Sequence, residues 1–267
     1  MRVEGDWARD GILVIRELYD PARTARLLDI SERLLATFRR SDPMSGGPGS
    51  PTATSIFQIH RPEYFPAQGS ETLEIMEAAA DPGVLSLVEA TCDTPDPLFS
   101  HTSIFFNPTE SRDELLATAG KGGSSGCCGE WHRDAQYIKP DEEDERKLVT
   151  NSQHVVGGRM MQIQVALKSS AHFEFVRGSH NRWDTAGEYA VRKGGGANGV
   201  TDDPDDRPNK FSDAMPGAQR DRLNPGDALV FSPWVIHRGH YRVDEPRASL
   251  MFTYSAGPRP TYPGVDR

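Results

Sequence analysis

Hydrophobic positions follow helical spacing in the N-terminal third of the chain and strand-like runs after it. Residues 11–16, GILVIR, form a short apolar run that predicts a strand. The Asp-Pro pair at 20–21 predicts a helix start, with the Asp as N-cap and the Pro in the first turn. Apolar side chains then recur at helical spacing to about Phe38. A second helical segment covers 70–91, interrupted by Asp-Pro-Gly at 81–83.

From residue 97 onward the pattern changes to short apolar or alternating runs, which predict strands. These runs are 97–107, 159–167, 172–180, 227–237 and 248–256. Loops rich in Gly, Pro or polar residues are predicted at 41–54, 108–129 and 192–210. The acidic run at 141–146 is predicted to be a solvated loop or helix face. Helices followed by strands indicate a mainly β fold with flanking helices, either a barrel or a sandwich.

The length of the chain permits one large domain or two small ones. With 267 residues and 36% hydrophobic content, it can bury one sizeable core, and all-β domains often reach this size. We therefore predict a single domain over residues 1–267, with a helical part at about 20–92 and a β core at about 97–257.

Charge and composition exclude several classes of partner. The net charge of −9 argues against nucleic-acid or anionic-membrane binding, since phosphate contacts need clustered Lys and Arg. No apolar run is long enough for a transmembrane helix, and the N-terminus lacks a signal-peptide pattern. Three cysteines do not suggest a disulfide framework, and the neighbouring Cys127 and Cys128 are interpreted as incidental thiols in a Gly/Ser-rich loop. These observations predict a cytoplasmic protein with a small-molecule partner.

A candidate metal site begins at Trp131-His132-Arg133-Asp134. In an extended segment, positions i and i+2 point to the same face, so His132 and Asp134 can offer an imidazole nitrogen and a carboxylate oxygen to one metal. Such a triplet alone is a weak signal, because chance matches are common.

Two residues near the C-terminus strengthen this interpretation. His237 ends the apolar run 228–236, and Arg247 begins the next predicted strand. Two His and one carboxylate form the facial triad of non-haem Fe(II) oxygenases, and an Arg suits the far carboxylate of 2-oxoglutarate. His240 competes with His237 for the metal, and Arg242 competes with Arg247 for the carboxylate. His180 is predicted to be structural.

These motifs together resemble the phytanoyl-CoA dioxygenase family of Fe(II)/2-oxoglutarate-dependent oxygenases, which includes ectoine hydroxylase. WHRD resembles the family's H-x-D motif, and VALKSSAHFEFVRGSH resembles the segment that ends in its G-[ST]-H signature. The stretch GDALVFSPWVIHRGHYRVDEPRASLMFTY resembles the segment with the distal histidine and the cofactor arginine. The match covers most of the chain.

The resemblance implies a double-stranded β-helix, or jelly roll, of the cupin-like kind. It implies Fe(II) on His132, Asp134 and His237, with O₂ and 2-oxoglutarate as co-substrates, the latter held by Arg247. It also implies cofactor contacts at Gln164 and, more weakly, at Gln162. Related halogenases lack the acidic ligand, so Asp134 favours hydroxylation of a small metabolite or natural-product intermediate, with release of succinate and CO₂.

Substrate contacts are predicted at Gln136, Tyr137 and Trp183, although Trp183 also suits a core or rim position. Two other functions remain open from the sequence. One is a cupin-like metal enzyme that does not use 2-oxoglutarate, and the other is a non-catalytic β-sandwich binding module.

Overall fold

The protein is described by a computed structural model that covers residues 1–41, 56–58, 69–106, 131–154, 159–193, 213–240 and 246–257. Within these ranges ten strands form two antiparallel sheets. The strands are β1 (Arg2–Glu4), β2 (Ile12–Arg16), β3 (Ile56–Gln58), β4 (Leu98–Phe106), β5 (Met160–Ala166), β6 (Phe173–Val176), β7 (Ala218–Arg220), β8 (Ala228–Phe231), β9 (His237–Gly239) and β10 (Ala248–Ser255).

The larger sheet has the order β1-β2-β8-β5-β10-β4-β3, and the smaller has the order β7-β6-β9. Neighbouring strands in the larger sheet are mostly distant in sequence, because the chain crosses repeatedly from one sheet to the other. Two antiparallel sheets connected in this way form a double-stranded β-helix, which confirms the predicted fold class.

Seven α-helices lie within the described part of the chain. They are α1 (Trp7–Asp10), α2 (Pro21–Ser41), α3 (Ser70–Ala79), α4 (Pro82–Cys92), α5 (Ala135–Ile138), α6 (Glu142–Asn151) and α7 (Ala186–Lys193), and a 3₁₀ turn follows α6 at Ser152–His154. None of these helices is both long and apolar enough to cross a membrane.

Local side-chain chemistry explains where the N-terminal helices begin. The carboxylate of Asp20 accepts a hydrogen bond from the N–H of Arg23 at 2.8 Å, as an N-cap does. Asp81 caps α4 in the same way, through the N–H of Gly83 at 2.8 Å. The predicted interruption at 81–83 therefore separates α3 from α4.

The main hydrophobic core lies between α2, α3 and α4 and one face of the larger sheet. Strand β5 is buried along its whole length and alternates between the two faces of this sheet. Its Met161, Ile163 and Val165 belong to the core with the helices. Gln162 and Gln164 share the other face, which lines the inside of the β-helix.

The structure corrects the single strand predicted at 227–237. Strand β8 ends at Phe231 in the larger sheet, and β9 begins at His237 in the smaller one. The intervening turn is closed by a 3.0 Å hydrogen bond from the N–H of Val235 to the carbonyl of Ser232. Pro233 lies inside this turn and has no N–H to donate to a strand ladder.

Two loop predictions also change. The acidic run at 141–146 contributes most of its residues to α6, where Glu145 is completely buried rather than solvated. Arg192 and Lys193, which begin the predicted loop 192–210, belong to α7. Residues 42–54, 108–129 and 194–210 of the predicted loops lie outside the described residues, as do Cys127 and Cys128.

Candidate metal centre

Three potential ligands converge inside the β-helix. One donor atom each from His132, Asp134 and His237 lies within 4.8 Å of the other two. The Oδ1 atom of Asp134 is 3.7 Å from the Nε2 of His132 and 3.7 Å from the Nε2 of His237. Among the described residues, this is the group of His, Cys, Asp or Glu side chains that has the spacing of a metal site.

Backbone pairing places the two histidines side by side. The N–H of His132 donates to the carbonyl of His237 at 3.0 Å, and the N–H of His237 donates to the carbonyl of His132 at 2.9 Å. Asp134 also faces this position, but the segment 132–134 is not extended throughout, although the sequence predicted that it would be. Asp134 has helical dihedral angles and immediately precedes α5, and its N–H donates to the carbonyl of Pro233 at 2.9 Å.

His237 is oriented as a metal ligand would be. Its Nδ1 lies 2.8 Å from the carbonyl of Val235, which makes Nδ1–H the donor and leaves the lone pair of Nε2 facing the centre. Burial lowers the pKa of His237 to about 4, so the ring is neutral at pH 7. A neutral imidazole is the form that binds metals.

The two oxygens of Asp134 have different surroundings. Oδ1 faces the two histidines, whereas Oδ2 accepts a hydrogen bond from Nε2 of Gln162 at 2.8 Å. Burial raises the pKa of Asp134, while the nearby His132 and the hydrogen bond from Gln162 oppose that shift.

Aromatic rings surround the histidines on the inside of the β-helix. Phe173 stacks on His237 with ring centroids 5.2 Å apart, and Phe231 lies 5.3 Å from His237. The ring of Tyr137, one of the predicted substrate contacts, lies 5.6 Å from His132. These rings form an apolar wall beside the three ligands.

The rival histidine, His240, is part of a separate cluster. Its Nδ1 is 3.3 Å from the Oε2 of Glu174, and Arg220 and Arg238 contact the same ring nitrogen. Glu174 alternates with the inward-facing Phe173 and Phe175 on β6, so this cluster lies on the opposite face of the smaller sheet. His240 is therefore not in the group that contains His132 and Asp134.

The predicted cofactor residues lie on and beside the inner face of the larger sheet. Arg247 immediately precedes β10 and is only 4% exposed, with its guanidinium carbon 5.1 Å from the ring centre of Phe105. Gln164 donates to the Oγ of Ser249 at 3.0 Å. The rival Arg242 lies outside the described residues.

Two of the three predicted substrate contacts meet at an arginine of α7. Arg192 donates to the Oε1 of Gln136 at 3.1 Å, and its guanidinium lies 5.2 Å from the ring centre of Trp183. Tyr137 is separate from them and faces His132. Gln136 and Trp183 thus lie together beside Arg192. Of the three predicted substrate contacts, Tyr137 is the one that lies against a candidate metal ligand.

Arg133, which lies between two candidate ligands in the sequence, is completely buried, and no role is predicted for it. Its guanidinium pairs with Asp184 at 2.7 Å and donates to the carbonyls of Ser179 and Trp234. These bonds join the turn that carries His132 and Asp134 to the turn that leads into His237. A charged residue between two ligands is the signal that could have drawn attention to this position.

The pairing of Arg133 continues into a chain of buried charges. Asp184 also pairs with Arg192 at 2.7 Å, and Arg192 pairs with Glu145 of α6 at 2.6 Å. Lys193 pairs with the other oxygen of Glu145, also at 2.6 Å. Burial raises the pKa of Asp184, but Arg133 and Arg192 lower it by more, so this pKa lies below its ordinary value.

The chemistry of the donor atoms fits Fe(II). Two imidazole nitrogens and one carboxylate oxygen, together with open positions, are the ligand set of the 2-His-1-carboxylate iron oxygenases. The apolar wall lies beside this set, and Arg247 is a buried positive charge of the kind that suits an anionic co-substrate.

A sequence profile of the phytanoyl-CoA dioxygenase (PhyH) family matches residues 7–247. The chain belongs to this family. PhyH proteins are oxygenases that use Fe(II), 2-oxoglutarate and O₂, so the predicted cofactors are those of the family. Membership also removes support for the two alternatives, the cupin-like enzyme without 2-oxoglutarate and the binding module. No curated protein sequence matches the chain significantly.

Solved structures with the same fold include several proteins of low sequence identity. The non-heme alpha-ketoglutarate-dependent epimerase SnoN of nogalamycin biosynthesis is 18% identical, with 93% of this chain and 80% of that chain covered and a TM-score of 0.54. HygX from Streptomyces hygroscopicus, solved with nickel and 2-oxoglutarate, is 17% identical (93% and 84% covered, TM-score 0.55). EctD from S. alaskensis, solved with 2-oxoglutarate and 5-hydroxyectoine, is 15% identical (93% and 73% covered, TM-score 0.53).

Proposed function

We propose that this PhyH oxygenase hydroxylates a C–H bond of a small metabolite or natural-product intermediate, with Fe(II) held by His132, Asp134 and His237. The observation that carries the proposal is the convergence of their donor atoms within 4.8 Å, inside a β-helix. Bound iron and 2-oxoglutarate would supply the O₂-dependent oxidation, with succinate and CO₂ as the other products.

The residues of the chain prepare this site in three ways. The backbone pair between His132 and His237 fixes the spacing of the imidazoles, and the bond from Nδ1 of His237 to Val235 fixes its ring orientation. The fork of Arg247 suits the far carboxylate of 2-oxoglutarate, and Gln164, on the inner face of the sheet, bonds to Ser249 two residues after Arg247. The rings of the apolar wall keep water out, which strengthens electrostatic interactions inside the site.

Hydroxylation is favoured over halogenation because a carboxylate is present. In a site where a small residue replaces the acidic ligand, a halide has room to bind, and Asp134 fills that place here. For the substrate, we propose contacts with Tyr137 beside His132 and with Gln136 and Trp183 near Arg192. The net charge of −9 makes a highly anionic substrate such as an acyl-CoA less suitable than a small neutral or cationic one.

The test is anaerobic titration of the protein with Fe(II) and 2-oxoglutarate, followed by the weak visible charge-transfer band of their chelate. We expect the band in the wild type and its loss in Asp134→Ala. Asp144→Ala is the matched control, because Asp144 is an exposed residue of α6 and should leave the band intact. A wild-type band in Asp134→Ala would contradict the ligand assignment. Once a substrate is found, incorporation of labelled O₂ into the product distinguishes hydroxylation from epimerisation or desaturation.

A further inference from the structure

The side chain of Gln162 has a specific partner at the candidate metal centre. It is 4% exposed and donates its amide hydrogen to Oδ2 of Asp134 at 2.8 Å. The other oxygen, Oδ1, lies 3.7 Å from the Nε2 atoms of both His132 and His237. The carboxylate is thus turned so that one oxygen faces the position of the metal and the other is held by an amide.

We propose that Gln162 is a positioning residue that makes Asp134 a ligand through one oxygen only. This inference rests on the proposed function, and it replaces the weaker sequence expectation that Gln162 contacts 2-oxoglutarate. A carboxylate can bind a metal through one oxygen or two. A second bond from Asp134 would occupy a position that 2-oxoglutarate or O₂ requires at a facial-triad centre. The amide of Gln162 competes for Oδ2 and keeps that position open.

The location of Gln162 suits this role because its backbone is held on both sides. Strand β5 lies in the middle of the larger sheet, where Gln162 pairs with Phe231 of β8 and with Thr253 of β10. Asp134, by contrast, lies on a turn, and the 2.9 Å bond from its N–H to Pro233 fixes its backbone but not the rotation of its carboxylate. A neutral amide can set that rotation without neutralising the ligand charge, which a Lys or Arg would do.

Gln164 provides an internal comparison on the same strand face. It is also a buried glutamine, but its amide donates to the Oγ of Ser249 at 3.0 Å and not to a candidate ligand. The two glutamines therefore have different partners, a candidate metal ligand for Gln162 and Ser249, two residues after Arg247, for Gln164. Removal of each amide should affect different binding steps.

The experiment compares Gln162→Met with Gln164→Met, since methionine keeps the length of the side chain and removes the amide. Fe(II) affinity is measured anaerobically, without 2-oxoglutarate, by competition with a chromophoric chelator. We expect Gln162→Met to bind Fe(II) about 10–100-fold more weakly, because the Asp134 carboxylate is no longer held in its binding orientation before the metal arrives. Gln164→Met should keep the wild-type Fe(II) affinity under these conditions.

A second readout uses Co(II) in place of iron. The absorption bands of Co(II) depend on its donor atoms and their geometry, so a second bond from Asp134 in place of a bound water should change the position and intensity of the bands in Gln162→Met. Gln162→Asn keeps a polar amide but is one methylene shorter, and it should behave like the methionine variant. Near-UV circular dichroism and urea unfolding of the metal-free proteins identify any variant that has lost its fold.

The opposite pattern would overturn the inference. If Gln162→Met and Gln162→Asn, both folded, keep the Fe(II) affinity and the Co(II) spectrum but need more 2-oxoglutarate, Gln162 is a co-substrate contact. Absence of Fe(II) and Co(II) binding in the wild type is a different result, because it would reject the proposed function itself along with the role of Gln162.

Discussion

At the scale of single residues, removal of the Arg247 side chain should weaken the binding of 2-oxoglutarate far more than that of Fe(II). It is buried beside the inner face of the larger sheet and stays charged at all ordinary pH values. We expect Arg247→Ala to raise the 2-oxoglutarate concentration needed for half-maximal chelate formation by about 100-fold, since a charged, bidentate hydrogen bond is lost. Fe(II) affinity measured without 2-oxoglutarate should change much less.

The measurement is titration of the chelate band with 2-oxoglutarate at saturating Fe(II). Arg26→Ala serves as the control, because Arg26 is an exposed residue of α2 that pairs with Glu74. If the two variants need the same concentration of 2-oxoglutarate, Arg247 is not its anchor and the role passes to another cation.

Sequence spacing predicted the three residues that the structure brings together, but not how they are supported. His132 and Asp134 lie two positions apart, and His237 follows a strand-like run, so all three carry a local signal. The contacts that support these residues are not visible in that spacing. Gln162 reaches Asp134, and Arg133 reaches Asp184, only because of the tertiary fold. Hydrogen bonds between residues so far apart in sequence leave no periodic trace.

At the scale of elements, the buried chain of charges connects the turn of His132 and Asp134 with α6 and α7. Both side chains of the Arg192–Glu145 pair are completely inaccessible, as are Arg133 and Asp184. We expect Arg192→Met to cost about 3–5 kcal/mol in the free energy of unfolding, since removal of one partner leaves buried carboxylates undercompensated. Urea denaturation measures this cost.

A pair on the surface of α6 gives the matched comparison. Lys147 and Glu143 are 2.8 Å apart, but both are largely exposed. Lys147→Met should therefore cost less than about 1 kcal/mol. Similar costs for Lys147→Met and Arg192→Met would show that the buried chain contributes no more than an ordinary surface pair.

Elements with strong local signals were predicted well, and short ones were not. The predicted N-cap at Asp20, the helical segment 70–91 and its interruption at 81–83 gave the positions of α2, α3 and α4. Strands β1 and β7 have three residues each, too few for alternation to be visible. The prediction of one strand over 227–237 was wrong, because the residues before Pro233 belong to the larger sheet and those at the end of the run belong to the smaller one. Hydrophobicity alone does not show this division.

At the scale of the whole molecule, stability should depend on pH through His180. This ring is 1% exposed and packs against Gly11, where a Cβ atom would lie 2.4 Å from the ring. Burial lowers the pKa of His180 to about 4, from an ordinary value of 6.5. Between these two values the unfolded chain binds a proton that the folded chain does not. Stability should therefore fall as the pH drops from 6.5 towards 4, by about 1.4 kcal/mol per pH unit from this residue.

The variant His180→Gln lacks the titrating group. The free energy of unfolding of this variant should therefore lack the part of the decrease below pH 6.5 that comes from His180. The difference between wild type and variant should be constant above pH 6.5 and should shift in favour of the variant at lower pH. Urea unfolding of the metal-free proteins at several pH values measures it. His154→Gln is the control, since His154 is exposed, and a pH-independent difference for both variants would reject the prediction.

The pairing of β2 with β8 also determines when the molecule can be assembled during synthesis. Ile12 leaves the ribosome long before its strand partner Phe231 is made. Domains whose strand pairings join residues distant in sequence fold slowly, and their N-terminal strands remain unpaired until the later strands have been made. His237 follows Phe231 in the chain, so a nascent chain cannot complete the three-ligand site until this residue has been translated.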